Sequence, residues 1–151
     1  MPRFELLLGM GAILLAGCGG GGDDQWTARR PQVVPASGNV IYNDQPLEGA
    51  TVAFIPVGDE KPAYGKTDSE GHFSLRTFEV DDGAVPGQYR VRITKWKPMA
   101  GLDRPIGEPL PEGETESLIP ERYTDPAKSG LTAKVQTEKE NTFTFDLKSG
   151  S

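Results

Sequence analysis

Residues 88–95 read Gln88-Tyr89-Arg90-Val91-Arg92-Ile93-Thr94-Lys95, an alternation of polar and apolar side chains. Successive side chains of a β-strand point to opposite faces of the sheet, so a period of two indicates a strand with one buried face. The apolar residues of this stretch are therefore expected in a core. Its two arginines are expected in solvent.

Six further stretches are predicted to be strands, and turn residues separate most of them. They are Gly38–Tyr42, Ala50–Pro56, Ala63–Thr67, His72–Arg76, Leu131–Gln136 and Thr142–Leu147. Asn43–Pro46 is predicted as a turn. So is Asp68–Gly71, in which glycine is free to adopt a positive φ. About seven short strands with turns between them indicate an all-β, Ig-like sandwich.

A long insertion, at about residues 97–125, interrupts this pattern before the last two strands. It contains five prolines and few apolar residues, and a short helical turn is predicted near Glu121–Tyr123. Loops of this length are typically functional or disordered. The predicted fold is thus a seven-stranded β-sandwich with a long proline-rich insertion.

The N-terminus has the layout of an export signal. Arg3 precedes the apolar run Leu6–Leu15, which is far shorter than the roughly 20 residues of a spanning helix. Next comes Leu15-Ala16-Gly17-Cys18, which resembles the lipobox of bacterial lipoproteins. That resemblance implies a diacylglycerol group on Cys18 and cleavage of the peptide bond before it.

The resulting domain plan has three parts. Residues 1–17 are predicted to be a lipoprotein signal peptide, residues 18–35 a flexible tether and residues 36–148 the sandwich. Cys18 is the only cysteine, so no disulfide can form within the chain. The expected location is the cell envelope, anchored to the outer membrane or its periplasmic face, or at the cell surface.

Four ordered segments resemble the carboxypeptidase regulatory-like domains, which share a transthyretin-like, seven-stranded sandwich. They are Ser37–Tyr42, Pro46–Phe54, Gly65–Phe73 and Pro86–Val91. Residues 118–131 also resemble a set of short lipoproteins of planctomycete-type bacteria. The resemblance implies a fold and not an activity. Tyr89, just after Pro86-Gly87, is placed like a tyrosine corner.

The sequence predicts no catalytic, cofactor or metal site. The single histidine, His72, is interpreted as structural, because one histidine without cysteine or a nearby pair of glutamates makes a poor metal site. The carboxylates of Glu79, Asp81 and Asp82 could attract Ca²⁺, but the sequence lacks a calcium-loop pattern and favours a solvated turn. A net charge of −6 argues against nucleic-acid binding.

Trp96 and Tyr123 are the candidate ligand contacts, because exposed aromatic rings beside an insertion can stack on sugars or hold peptides. In the alternative interpretation, Trp96 caps the sandwich and Tyr123 pins the insertion to it. The expected function is a non-enzymatic, membrane-anchored interaction or structural module with an envelope protein or glycan as partner. One alternative is a carbohydrate- or peptide-binding protein that uses residues 97–125. The other is a transthyretin-like hydrolase, which the single histidine disfavours.

Lipidation of Cys18 is directly testable. Cells that express the chain and are grown with radioactive palmitate are expected to label it, and Cys18→Ser is expected to abolish the label. A lone thiol in an exported chain is explained by acylation, and two or more acyl chains anchor a protein stably. Label that persists in Cys18→Ser would contradict the assignment.

Overall fold

The computed structural model describes residues 30–97 and 116–150, which contain eight strands and one 3-10 turn. The strands are β1 (Ala36–Tyr42), β2 (Gln45–Pro46), β3 (Thr51–Pro56), β4 (Ala63–Lys66), β5 (His72–Ser74), β6 (Gly87–Thr94), β7 (Leu131–Val135) and β8 (Asn141–Leu147). The 3-10 turn spans Glu121–Thr124. The prediction of an all-β sandwich is confirmed.

The strands form two four-stranded sheets. In the first sheet, β1 pairs with β8, β5 and β2. In the second sheet, the strand order is β4-β3-β6-β7, and all three pairings are antiparallel. Burial alternates along β6, where Tyr89, Val91 and Ile93 are buried while Arg90 and Arg92 are exposed. The alternation predicted for this strand is therefore present in the structure.

The first sheet depends on a long-range parallel pairing between β1 and β8. It runs from Ala36 opposite Asn141 to Tyr42 opposite Leu147, over the full length of both strands. The side chain of Asn141 supports the start of this pairing. Its amide nitrogen donates to the carbonyls of Gln136 at 2.9 Å and Pro35 at 3.3 Å, and its oxygen accepts from the Gln136 N–H at 2.8 Å.

An aromatic cluster joins the two sheets. Phe54 of β3 is fully buried. The centroid of its ring lies 5.3 Å from Phe143, 5.7 Å from Tyr89, 6.0 Å from Phe145 and 6.4 Å from Phe73. Three of these contacts are edge-to-face, an arrangement that places the positive edge of one ring on the negative face of another. The core therefore centres on one side chain that contacts strands of both sheets.

The tyrosine-corner arrangement predicted for Tyr89 is present. Its side chain is 1 % exposed, and its hydroxyl donates to the carbonyl of Val85 at 2.6 Å. Burial, together with the negative charge of Glu60, raises the pKa of Tyr89 to about 12. The hydrogen bond thus ties the start of β6 to the loop before it.

The strand count is eight, whereas the sequence predicts seven. The additional strand is the two-residue β2, which lies inside the predicted turn Asn43–Pro46. Asn43 and Asp44 have φ values of 49° and 64°, so the chain reverses at once and Gln45 pairs with Tyr42. Two consecutive residues with positive φ produce a tight hairpin, and asparagine and aspartate tolerate that conformation well.

The compact unit also begins earlier than predicted. It extends from Pro31, whereas the predicted tether runs to residue 35. Val34 is 7 % exposed and pairs with Ala84. Gly83, with φ of 101°, permits this approach, since a Cβ there would lie 1.9 Å from the carbonyl oxygen of Val34. The end of the predicted tether is therefore part of the sandwich.

Tyr89→Phe is expected to lower the free energy of unfolding by about 1–2 kcal/mol, because the buried Val85 carbonyl loses its donor. Urea unfolding of the full chain at pH 7 measures this change. The matched control is Tyr64→Phe, because Tyr64 is 38 % exposed and its hydroxyl has no hydrogen bond among the described residues.

A pH series provides a second readout of the same variant. The pKa of Tyr89 is raised from 10.0 to about 12, so the folded protein holds this proton more tightly than the unfolded chain. The stability that Tyr89 supplies is complete below pH 10 and is lost as the pH rises towards 12. The difference between wild type and Tyr89→Phe is therefore expected to shrink over that range. A constant difference would contradict this assignment.

Candidate functional site

The two ends of the insertion are paired with each other just beyond β6. The N–H of Lys97 donates to the carbonyl of Glu116 at 2.9 Å, and the N–H of Leu118 donates to the carbonyl of Lys95 at 2.8 Å. Trp96 and Ser117 face each other in this short antiparallel bridge. The backbone of Trp96 is thereby fixed, although the central part of the predicted insertion, residues 98–115, lies outside the described residues.

The 3-10 turn is fixed by Tyr123, which is 5 % exposed. The tyrosine oxygen accepts a hydrogen bond from the N–H of Lys148 at 3.1 Å and another from Nη2 of Arg122 at 2.8 Å. The guanidinium of Arg122 lies 4.7 Å from the centroid of the tyrosine ring, a cation–π contact. Tyr123 therefore attaches the turn to the end of β8.

A cleft of about 430 Å³ lies between the insertion ends and the 3-10 turn, and we name it the Trp96 cleft. Trp96 is 49 % exposed in it. The lining residues are Trp96, Ser117, Glu121, Arg122, Thr124, Asp125 and Lys128. One wide aromatic ring is thus surrounded by hydroxyl, carboxylate and cationic side chains.

The polar groups of the Trp96 cleft offer both acceptors and donors. The carboxylates of Glu121 and Asp125 accept hydrogen bonds, and the ammonium of Lys128 donates them. Lys128 and Asp125 are 3.9 Å apart, which is a weak ion pair at an exposed position. Oδ1 of Asp125 also accepts a hydrogen bond from the N–H of Ala127 at 2.8 Å. The remaining lone pairs of Asp125, the Glu121 carboxylate and the Lys128 ammonium are left for a polar ligand that lies against the indole.

The two predicted ligand contacts have different environments. Trp96 lines the cleft and is half exposed, whereas Tyr123 is buried and does not line it. Direct ligand contact by Tyr123 is therefore not supported, because its hydroxyl and ring are used in packing. The packing interpretation fits Tyr123. Cys18, the predicted lipidation site, lies outside the described residues.

The sequence did not single out the charged residues of the cleft, Glu121, Arg122, Asp125 and Lys128. No periodic pattern marks them, because they lie in a 3-10 turn and the loop after it. They reach the cleft because Tyr123 positions the turn beside Trp96. The one feature of the sequence that points to this region is the helical turn predicted at Glu121–Tyr123.

In the acidic turn at residues 79–82, the Asp82 carboxylate binds the backbone of its own turn. The carboxylate of Asp82 accepts hydrogen bonds from the backbone N–H groups of Thr77 at 2.7 Å, Phe78 at 2.9 Å and Glu79 at 2.9 Å. Burial acts to raise the pKa of Asp82, but these hydrogen bonds outweigh burial and lower it. Asp82 therefore stabilises the turn, which is only partly solvated.

A second group of polar side chains lies at the start of β5. Asp68, Glu70 and His72 could together offer three metal ligands, and all three are exposed. Oδ1 of Asp68 accepts the N–H groups of Glu70 at 2.8 Å and His72 at 3.0 Å, which lowers the pKa of Asp68. Nδ1 of His72 lies 3.5 Å from Oε2 of Glu70. These contacts are all within the turn, so they explain the clustering of the three side chains without a metal ion.

Comparison with known proteins assigns no family to this chain. No protein-family model matches the chain, and no curated protein matches it. Among solved structures, a 9R-lipoxygenase from Cyanothece PCC8801 is similar over 78 % of this chain, with 14 % identity and a TM-score of 0.38. The chain spans 16 % of the length of that lipoxygenase, and a similarity this weak carries no argument about activity.

The described residues contain no helix with the length and apolar character needed to cross a membrane.

Asp82→Asn is expected to lower the free energy of unfolding by about 1–2 kcal/mol at pH 7, because hydrogen bonds to a charged acceptor are stronger than those to an amide. The depressed pKa means that this stability is present above the ordinary value of 3.8 and is lost as the pH falls through the lower folded value. Urea unfolding at pH 7 and pH 3 measures both effects.

Asp81→Asn is the matched control for that comparison. Asp81 is exposed and has a φ of 55°, which asparagine tolerates. The control is expected to change stability by less than about 0.5 kcal/mol. Equal losses in the two variants would show that the Asp82 hydrogen bonds contribute nothing.

Proposed function

We propose that this chain is a non-enzymatic binding module of the cell envelope, held at a membrane by a lipid on Cys18. We propose further that it recognises a glycan in the Trp96 cleft. The observation that carries this proposal is the half-exposed indole of Trp96, set in a cleft that is otherwise lined by polar and charged side chains.

The chemistry of the cleft fits a sugar. A pyranose ring has an apolar C–H face and a rim of hydroxyl groups, so it can lie flat on an indole and exchange hydrogen bonds around its edge. Glu121 and Asp125 would accept from those hydroxyls, and Lys128 would donate to them. The volume of about 430 Å³ lies within the usual range of ligand clefts.

Ligand binding would also cover apolar surface that is otherwise in water. Trp96 is 49 % exposed, so a stacked ring would bury roughly 120 Å² of indole, which stabilises a complex by about 3 kcal/mol at most. This term alone supports millimolar affinity or weaker. Polar contacts at the rim would supply the selectivity.

The rigid setting of the cleft supports recognition rather than passive packing. The backbone of Trp96 is held by the bridge to Ser117, and the 3-10 turn is held by Tyr123. Binding residues are often placed on loops that a rigid scaffold positions, because less conformational entropy is then lost on binding. The sandwich is such a scaffold.

The alternative of a transthyretin-like hydrolase has less support. Such an enzyme needs a pocket lined by histidine and arginine. His72 is the only histidine of the chain, and it lies on β5 and does not line the Trp96 cleft. The proposed function therefore involves binding without catalysis.

Screening the full chain on an array of bacterial envelope glycans tests the recognition proposal. Trp96→Ala is expected to weaken binding of any bound glycan by tenfold or more, because the stacking surface is removed. The control is Leu118→Ala, which removes an apolar side chain that is 40 % exposed nearby but does not line the cleft.

Equal binding by wild type and Trp96→Ala would overturn the cleft as the recognition site. Binding to an envelope peptide and to no glycan would replace the glycan with a peptide. Neither result depends on Cys18, so lipidation is judged separately by palmitate labelling.

A further inference from the structure

The outer face of the second sheet collects positive charge. Tyr64 of β4 pairs on one side with Arg76 and on the other with Ala53 of β3, which pairs with Arg92 of β6. Paired residues of adjacent strands point to the same face of a sheet. Arg76 and Arg92 therefore lie in one row across the sheet, with Tyr64 between them.

Neighbouring rows add three more cations to this face. Lys66 lies two residues after Tyr64 on β4, and Arg90 lies two residues before Arg92 on β6. Lys134 of β7 pairs with Gln88, the next outward residue of β6. We name the set the basic face, and it consists of Lys66, Arg76, Arg90, Arg92 and Lys134. All five side chains are exposed.

No strand position on this face carries an acidic residue. The remaining outward strand positions carry threonine, alanine, isoleucine, tyrosine or glutamine. None of the five cations forms an ion pair with a carboxylate among the described residues. A chain with a net charge of −6 thus presents one sheet face whose five charged side chains are all cationic, and Glu79 lies at its edge, beside Arg76. Such an asymmetry directs that face towards negative surfaces.

Exposed apolar side chains border the basic face on two sides. Val80 is 77 % exposed and lines a cavity of about 410 Å³ with Tyr64, Arg76 and also Glu79. Val57 is 58 % exposed and lines a cavity of about 630 Å³ with Arg90 and Lys134. Cations flanked by exposed valines and a tyrosine match the boundary of a bilayer, where headgroup phosphates meet apolar tails.

We infer that the basic face docks onto a bilayer surface that contains anionic phospholipids. Arginine and lysine bind headgroup phosphates, and a sheet face is broad enough to meet several headgroups at once. A soluble polyanion would satisfy the cations but would leave Val57 and Val80 in water. The inference rests on the proposed function for its setting, since a lipid on Cys18 would hold the domain beside such a surface.

Sedimentation with vesicles tests this inference on the full chain carrying Cys18→Ser, so that no acyl chain contributes. The measured quantity is the ratio of partition into phosphatidylcholine vesicles with 30 % phosphatidylglycerol to partition into pure phosphatidylcholine vesicles. We expect about tenfold or more preference for the anionic vesicles at 50 mM NaCl and little preference at 500 mM, because salt screens the attraction. The ratio removes any salt-independent contribution from the apolar run at residues 6–15.

Arg90→Glu/Arg92→Glu is expected to abolish the preference. Arg90→Gln/Arg92→Gln removes the two charges without reversing them and is also expected to remove most of the preference, so this variant serves if charge reversal impairs folding. The matched control, Lys61→Glu/Lys139→Glu, makes the same charge change at two exposed loop positions outside the basic face. The control is expected to keep most of the preference.

Three results would overturn the inference. They are no preference for anionic vesicles, equal loss in the control and the Arg90/Arg92 variants, and tighter salt-dependent binding to duplex DNA than to the vesicles. Failure of palmitate labelling would remove the anchor but leave vesicle binding intact. The two proposals therefore fail separately.

Discussion

The packing of Phe54 is the contact on which the rest of the molecule depends. Its ring touches Phe73, Phe143 and Phe145 of the first sheet and Tyr89 of the second. Truncation of a fully buried phenylalanine typically costs about 3–5 kcal/mol, a large part of the stability of a domain this size. The inner faces of both sheets pack against this cluster. Because successive side chains of a strand alternate, the other residues of each strand point outward. The outer faces, and the ends of the sandwich, are the surfaces left for recognition.

Strand β6 connects these surfaces. The Tyr89 hydroxyl holds the loop before the strand, and the outer side of the strand carries Arg90 and Arg92. The chain reaches Trp96 two residues after the strand ends. A rigid β6 therefore fixes both the basic face and one wall of the Trp96 cleft. In the proposed arrangement, a lipid and a cationic face hold the domain at a membrane, while a separate cleft remains for a glycan.

The sequence predicted the seven longer strands because each alternates or carries β-branched and aromatic residues between turn signals. It missed β2, because Gln45 and Pro46 have no strand pattern and pair only through the hairpin at Asn43 and Asp44. It also placed Val34 in the tether. The burial of Val34 depends on Ala84, 50 residues later, and on the missing Cβ of Gly83. Neither partner is visible in the local pattern.

By itself, the sequence determined the alternation of β6, the corner at Tyr89 and the closed turn at Asp68, because each depends on residues a few positions apart. Only the tertiary structure decided that Tyr123 is buried while Trp96 stays half exposed, since the backbone just after β8 binds the hydroxyl of Tyr123, whereas Trp96 lines an open cleft. The same holds for the basic face. Its five cations come from four separate segments, and strand register, a long-range property, places them together.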